Sequence, residues 1–140
     1  MAVQFFFNDV SITLKHRKRL KEFIKTLFML EGKILRSLNY IFCADSYLVA
    51  INNDFLKHDD YTDIITFILS DPLKPVEGEI YISTDRIRSN ATILKVGIKE
   101  ELHRVIFHGA LHLCGYNDKS IQEKKQMTAS EDRYLRKYFE

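Results

Sequence analysis

A helix that is apolar on every side is stable only when the rest of its chain wraps it, and the run from Val105 to Gly115 imposes that demand. Val105, Ile106, Phe107, Ala110, Leu111 and Leu113 cover its circumference, and its only strongly polar side chains are His108 and His112. A central buried helix over Ile98 to Cys114 is therefore expected. At about 100° per residue, a four-residue step puts both imidazoles on one face, one turn apart. Gly115 follows where a helix ends on a residue tolerant of positive φ, and Asp118 comes just past that turn. Two nitrogens and one carboxylate oxygen make three protein ligands, and a tetrahedral zinc keeps its fourth position for water. A lone HxxxH arises often by chance, and each histidine could instead be a core residue bonded to a carbonyl. Two histidines in an apolar stretch both need partners, however, and one shared cation satisfies both.

The spacing HxxxHxxGxx(H/D) is that of the long zinc motif of metzincin proteases. Those enzymes carry a glutamate directly after the first histidine, as the base that deprotonates water. Here that position is Gly109. Glycine accepts no proton, so a peptide-hydrolase reading lacks its base and is demoted. A mid-helix glycine also costs about 1 kcal/mol relative to alanine, which implies that room is needed there for another chain element or for a substrate group.

The remaining pattern alternates strands and helices. Strands are expected at Val3–Phe7, Ser37–Ala44, Asp63–Leu69 and Glu79–Ser83. Helices are expected from Lys15 to Leu30, from a cap at Asp45 through Phe55, from Thr84 or Asp85 through Ala91, and from Ile121 to Phe139. Asp71–Gly78 holds both prolines and reads as a loop. The fold class is α+β, a small four-stranded sheet packed with four to five helices, in one domain over residues 1–140. Glu101 shares the histidine face but lies about 10 Å along the axis from His108, so a solvated or outlying carboxylate is expected. Cys43 and Cys114 form no CxxC unit and read as free thiols, Cys114 packed in the helix. No stretch approaches a membrane span, and the start lacks the basic and apolar regions of a signal peptide, so a cytoplasmic protein is expected.

Net charge is only +2, yet Lys15, Arg17, Lys18, Arg19, Lys21, Lys25, Lys33 and Arg36 face only Glu22 and Glu31 across their segment. These side chains fit the solvated face of a helix whose apolar stripe includes Leu20, Phe23, Ile24 and Leu27. The functional alternative is a phosphate-contacting face built on Lys15, Arg17, Lys18 and Arg19, since such binding needs a local excess of charge. The solvated face is the slightly better reading of the sequence alone.

The run His108-Gly-Ala-Leu-His112-Leu-Cys-Gly115-Tyr116 resembles the HGxLHLxGY signature of the YbeY family of zinc-dependent endoribonucleases. Ile51-Asn52 with Thr62-Asp63-Ile64-Ile65-Thr66-Phe67 is similar to that family's LN…TDVLSF segment, and Gly78–Ser83 to its GDIxIS strand. The order and spacing of all three agree. The resemblance implies a bound zinc, a cytoplasmic location, single-stranded RNA as substrate, and work on the 3′ end of small-subunit ribosomal RNA and in ribosome quality control. No membrane partner and no small-molecule cofactor are expected.

Two positions depart from the family pattern. Asp118 stands where the family has a third histidine; a carboxylate binds zinc at a similar distance, but it makes the site less positive by one charge and the bound water less acidic. Leu56 stands where the family often has arginine. Lys57 and His58 beside it are the candidates to replace that charge, though lysine lacks the bidentate fork. Arg86 and Arg88 are further candidates for RNA contact. The implied chemistry is phosphodiester hydrolysis with zinc polarising a phosphoryl oxygen or activating water, and the base is otherwise unidentified. The alternative is a non-catalytic ribosome-assembly factor that binds RNA around a structural metal.

Overall fold

The computed structural model describes residues 2–52 and 63–140. In chain order the elements are β1 (Val3–Phe7), α1 (Arg17–Leu30), β2 (Leu35–Cys43), α2 (Asp45–Ile51), β3 (Ile64–Ile68), β4 (Val76–Ser83), α3 (Thr84–Leu94), α4 (Ile98–Leu113) and α5 (Ile121–Phe139). The strands form one sheet in the order β1-β2-β4-β3. β1 and β4 both run parallel to β2, and β3 runs antiparallel to β4. This is the expected α+β architecture.

Alternation along the strands builds two unequal layers. Leu38, Tyr40 and Phe42 of β2, with Ile80 and Ile82 of β4, are fully buried in the main core with α1, α4 and α5. β1 pairs Phe5 with Tyr40 and Phe7 with Phe42, and their rings meet at 5.5 and 5.1 Å. On the opposite face a smaller cluster joins Cys43 and Ile65 to Leu48 and Ile51 of α2. The α1 stripe is buried as expected at Leu20, Ile24 and Leu27, with Phe28 in addition and Phe23 half-buried, while Arg17, Lys18, Arg19 and Lys25 are exposed and Lys21 is half-buried.

α4 is the buried hub. Val105, Ile106, Phe107, Ala110, Leu111 and Leu113 are all buried. The Tyr40 hydroxyl donates to the Ile106 carbonyl at 2.8 Å, tying β2 to the middle of α4. Gly109 provides room for a chain element: a Cβ there would lie 2.8 Å from Ile64 Cδ1 and 2.9 Å from Ile80 Cδ1. Gly78 does the converse on β4, where a Cβ would meet Leu113 Cδ1 at 2.8 Å. Helix and sheet therefore approach through one glycine on each. Gly109→Ala should gain about 1 kcal/mol of helix propensity and lose about 1–3 kcal/mol to overpacking. A lower melting temperature is expected; a rise of several degrees would mean that Ile64 and Ile80 yield freely.

Several boundaries differ from expectation. β4 begins at Val76, not Glu79, because Val76 and Glu77 already pair with Leu35 and Ser37 of β2. Asp45 is not the cap of α2: Ala44 holds that position, and the Asp45 carboxylate instead accepts from Arg86 at 3.0 Å. α2 ends at Ile51; Phe55, Leu56, Lys57, His58 and Thr62 lie outside the described residues. Cys43 and Cys114 are free and buried, with Cys114 at the C-cap of α4. Among the described residues no helix is long and apolar enough to cross a membrane.

Candidate metal centre

The end of α4 follows from its glycine. Gly115 adopts φ 108°, which side-chain-bearing residues rarely reach. The Tyr116 N–H bonds back to the Leu111 carbonyl and the Gly115 N–H to that of His112, both at 3.0 Å. This paired closure reverses the chain immediately after the helix. Tyr116 is then pinned: its hydroxyl donates to Glu31 at 2.8 Å and accepts from Ser130 at 3.2 Å. The reversal carries Asp118 back over the last turn of α4, as its position past the glycine suggested.

There the Nε2 atoms of His108 and His112 stand 2.9 Å apart, and Asp118 Oδ2 lies 3.4 Å from each. A tetrahedral zinc with its usual ligand distances separates neighbouring donor atoms by about 3.3 Å. The trio therefore has the right donors at close to the right spacing for one ion, with the nitrogens slightly compressed. Among the described residues it is the His/Cys/Asp/Glu group whose atoms all fall within reach of a shared metal. The histidine side chains are 20% and 21% exposed and Asp118 is 41% exposed, so the group opens to solvent on the aspartate side.

The far nitrogens are held. His112 Nδ1 donates to the Tyr116 carbonyl at 2.9 Å, and His108 Nδ1 donates to Glu131 Oε2 at 2.6 Å. With hydrogen on each Nδ1, the neutral rings present lone pairs at Nε2, the form a metal needs. Glu131 is buried and also accepts from Arg104 at 2.8 Å, and Arg104 reaches Asp132 at 2.6 Å. Burial disfavours charge on His108, but the bond to Glu131, with the charges of Glu131, Asp63 and Asp118, outweighs it and raises the imidazole's pKa.

Glu131 was not foreseen. It sits among Met127, Tyr134 and Tyr138, all buried on one face of α5. A carboxylate interrupting an apolar stripe is a readable signal that it has a buried partner. Glu131→Gln should weaken metal affinity about 10–100-fold, measured by competition with a fluorescent zinc chelator. Unchanged affinity in a folded variant would show that His108 needs no such support.

Glu101 is buried rather than solvated. Burial and the nearby charge of Asp63 push its carboxyl pKa up, against Arg104 and a bond to Asn90. Asp63, which opens the expected third strand and belongs to the segment similar to the family's TDVLSF, is likewise raised by burial, partly offset by His108 and Arg86. The other candidates scatter. Arg86 pairs with Asp45 at 3.0 Å, and the Arg17 guanidinium lies 4.7 Å from the Phe7 ring centre. Lys18 is exposed on α1. Lys15, Arg19 and Arg88 converge on one cavity elsewhere.

The comparisons with known proteins agree over almost the whole chain. The profile of the family described as Endoribonuclease YbeY matches residues 5–139. A protein of that name from Cytophaga hutchinsonii is 47% identical over 134 residues, covering 96% of this chain and 94% of the relative. Another, from Parabacteroides distasonis, is 39% identical over 135 residues with the same coverage, 96% and 94%. The solution structure of TM1509 from Thermotoga maritima is similar with a TM-score of 0.64 at 25% identity, over 98% of this chain and 89% of that one.

Proposed function

Because the chain belongs to the YbeY family of endoribonucleases, we propose that it is a metal-dependent endoribonuclease cutting single-stranded RNA, with His108, His112 and Asp118 holding one zinc ion. The observation that carries this reading is the convergence of two Nε2 atoms and one carboxylate oxygen within 3.4 Å, while both Nδ1 atoms are engaged elsewhere. When bound, zinc supplies Lewis-acid polarisation of a phosphoryl oxygen and activation of water.

The chain's own groups do the rest. Glu131 and the Tyr116 carbonyl fix the tautomer and tilt of the two imidazoles. Gly115 permits the reversal that brings Asp118 into line. The exposed Asp118 side leaves space for a phosphodiester, an arrangement suited to catalysis and not to a closed structural site. Lys57 and His58, outside the described residues, are the candidates to supply the charge that the family's arginine carries. The substrate is precursor small-subunit ribosomal RNA near its 3′ end, processed in the cytoplasm as part of ribosome maturation and quality control.

The test is cleavage of end-labelled single-stranded and duplex RNA of one sequence by the purified chain, with and without a chelator. Cleavage of the single strand alone, lost on chelation and restored by zinc, is expected. Cleavage indifferent to chelation, or none of either RNA, would contradict the proposal.

A further inference from the structure

Arg19 of α1 meets cations from three other parts of the chain at one cavity. Lys15, Arg19, Arg88 and Lys99 line a cavity of about 560 Å³, with Tyr138 and His103 in its wall. Among its lining residues these four cations stand against one acid, Glu140. None of the four has an ion-pair partner among the described residues. Two are already positioned: Arg19 donates to the Tyr138 carbonyl with its guanidinium 4.4 Å from the ring centre, and Arg88 donates to the Ser11 carbonyl at 2.7 Å. A guanidinium has five N–H donors, so each keeps several for a ligand. The first turn of α4 adds the positive end of a helix dipole beside Lys99.

His103 gives the cavity a second kind of contact. It is 4% exposed, stacked on Tyr138 with ring centres 5.4 Å apart. Its Nδ1 lies 2.7 Å from the Lys99 carbonyl, which only accepts, so Nδ1 carries the hydrogen. Nε2 has no partner among the described residues, and in the neutral ring it accepts a hydrogen bond. Phe139, 40% exposed on the same wall, adds an aromatic ring that packs edge-on against His103 at 4.9 Å and carries the Lys99 ammonium 5.0 Å from its centre. Phosphates, a hydroxyl donor and a flat base are what these groups jointly suit. A ribonucleotide strand carries all three.

We infer that this cavity is a second RNA-binding site, taking backbone phosphates of a single strand on Lys15, Arg19, Arg88 and Lys99 and a ribose hydroxyl on His103 Nε2. The inference rests on RNA being the substrate, as proposed above. His103 and His112 are nine residues apart, about half a revolution and roughly 13 Å along α4. The cavity and the histidine trio therefore lie on opposite sides of one helix, and only a strand of several nucleotides reaches both. The cavity holds long substrates without taking part in bond cleavage.

The test is a double charge reversal, Lys15→Glu with Lys99→Glu, on exposed side chains outside the metal trio, of which Lys99 touches the exposed Phe139 ring at 5.0 Å. Single-stranded RNA binding is followed by fluorescence anisotropy across a salt series, beside cleavage of a long RNA and of a trinucleotide. The variant should bind the long RNA at least ten-fold more weakly, with a salt slope shallower by about two. KM for long RNA should rise, while trinucleotide cleavage and metal content stay at wild-type values. The milder Lys15→Gln, Lys99→Gln pair should fall between, which guards against a folding artefact. Unchanged affinity and slope, with wild-type cleavage intact, would overturn the cavity and leave the nuclease reading standing. Binding that depends on both lysines in a protein that never cuts RNA would do the reverse. Equal affinity for DNA of the same sequence would remove the ribose contact. Competition by inorganic phosphate, adenosine monophosphate or polyglutamate as effective as that by RNA would assign the cavity to a free anion or an acidic protein and overturn the strand.

Discussion

His112→Ala is expected to abolish stoichiometric metal binding and reduce RNA cleavage by more than about 100-fold, while the chain stays folded. Losing a partner that merely orients a ligand costs about 10–100-fold in affinity or activity, and His112 contributes the donor atom itself. It sits 3.4 Å from Asp118 and 2.9 Å from its sister nitrogen, so its removal leaves only two donors. The fold should tolerate the change. The His112 side chain is 21% exposed, and alanine is the best helix former. The Tyr116 carbonyl loses one donor but keeps its place through the hydroxyl bond to Glu31 and the backbone closure to Leu111. Metal analysis, circular dichroism and a gel-based cleavage assay on the same preparation check this. Undiminished cleavage in the folded variant would remove the metal trio from the chemistry.

Phe107→Ala should have the opposite profile: a large loss of stability with the metal donors untouched. Phe107 is fully buried, and its ring packs 5.3 Å from that of Phe23 and 5.8 Å from that of Tyr138. It is where α1, α4 and α5 meet. Truncating a buried phenylalanine costs about 3–5 kcal/mol through lost burial and the cavity left behind. For a domain of this size that lowers the melting temperature by about 10–15 °C, a large share of a total near 5–15 kcal/mol. Calorimetry or a thermal-shift assay measures it. A loss under 1 kcal/mol would show that the helices collapse into the space, and that α4 is less rigidly held than its burial indicates.

Those two effects separate what the sequence made legible from what it hid. The central helix was legible because an all-round apolar run admits no other environment, and Gly115 because a helix stop followed by an acid has few geometric solutions. Gly109 was legible as a demand for space, though only the structure identifies Ile64 and Ile80 as the groups that need it. The start of β4 was hidden because Val76-Glu77-Gly78 follows a proline, and its strand character comes from pairing with β2. Asp45 has the chemistry of a cap, but a tertiary partner, Arg86, captured its carboxylate. The apolar stripe around Glu131 signals a buried partner, but which one was hidden by distance along the chain, as nothing local links α5 to His108. The basic run of α1 was ambiguous for the same reason. Which of its cations converge depends on where α3, α4 and α5 bring Arg88, Lys99 and His103.

The most direct test of the central claim is metal content measured together with RNA cleavage, on wild type and Asp118→Ala, both purified without a histidine tag. Asp118 departs from the family's third histidine and is the most exposed of the three donors, so its removal is the change that discriminates best. Near-stoichiometric zinc and single-strand cleavage in wild type, with both lost in Asp118→Ala, is the predicted result. Zinc and cleavage both retained without the Asp118 carboxylate would contradict it, as would wild-type protein that binds zinc and leaves ribosomal RNA uncut.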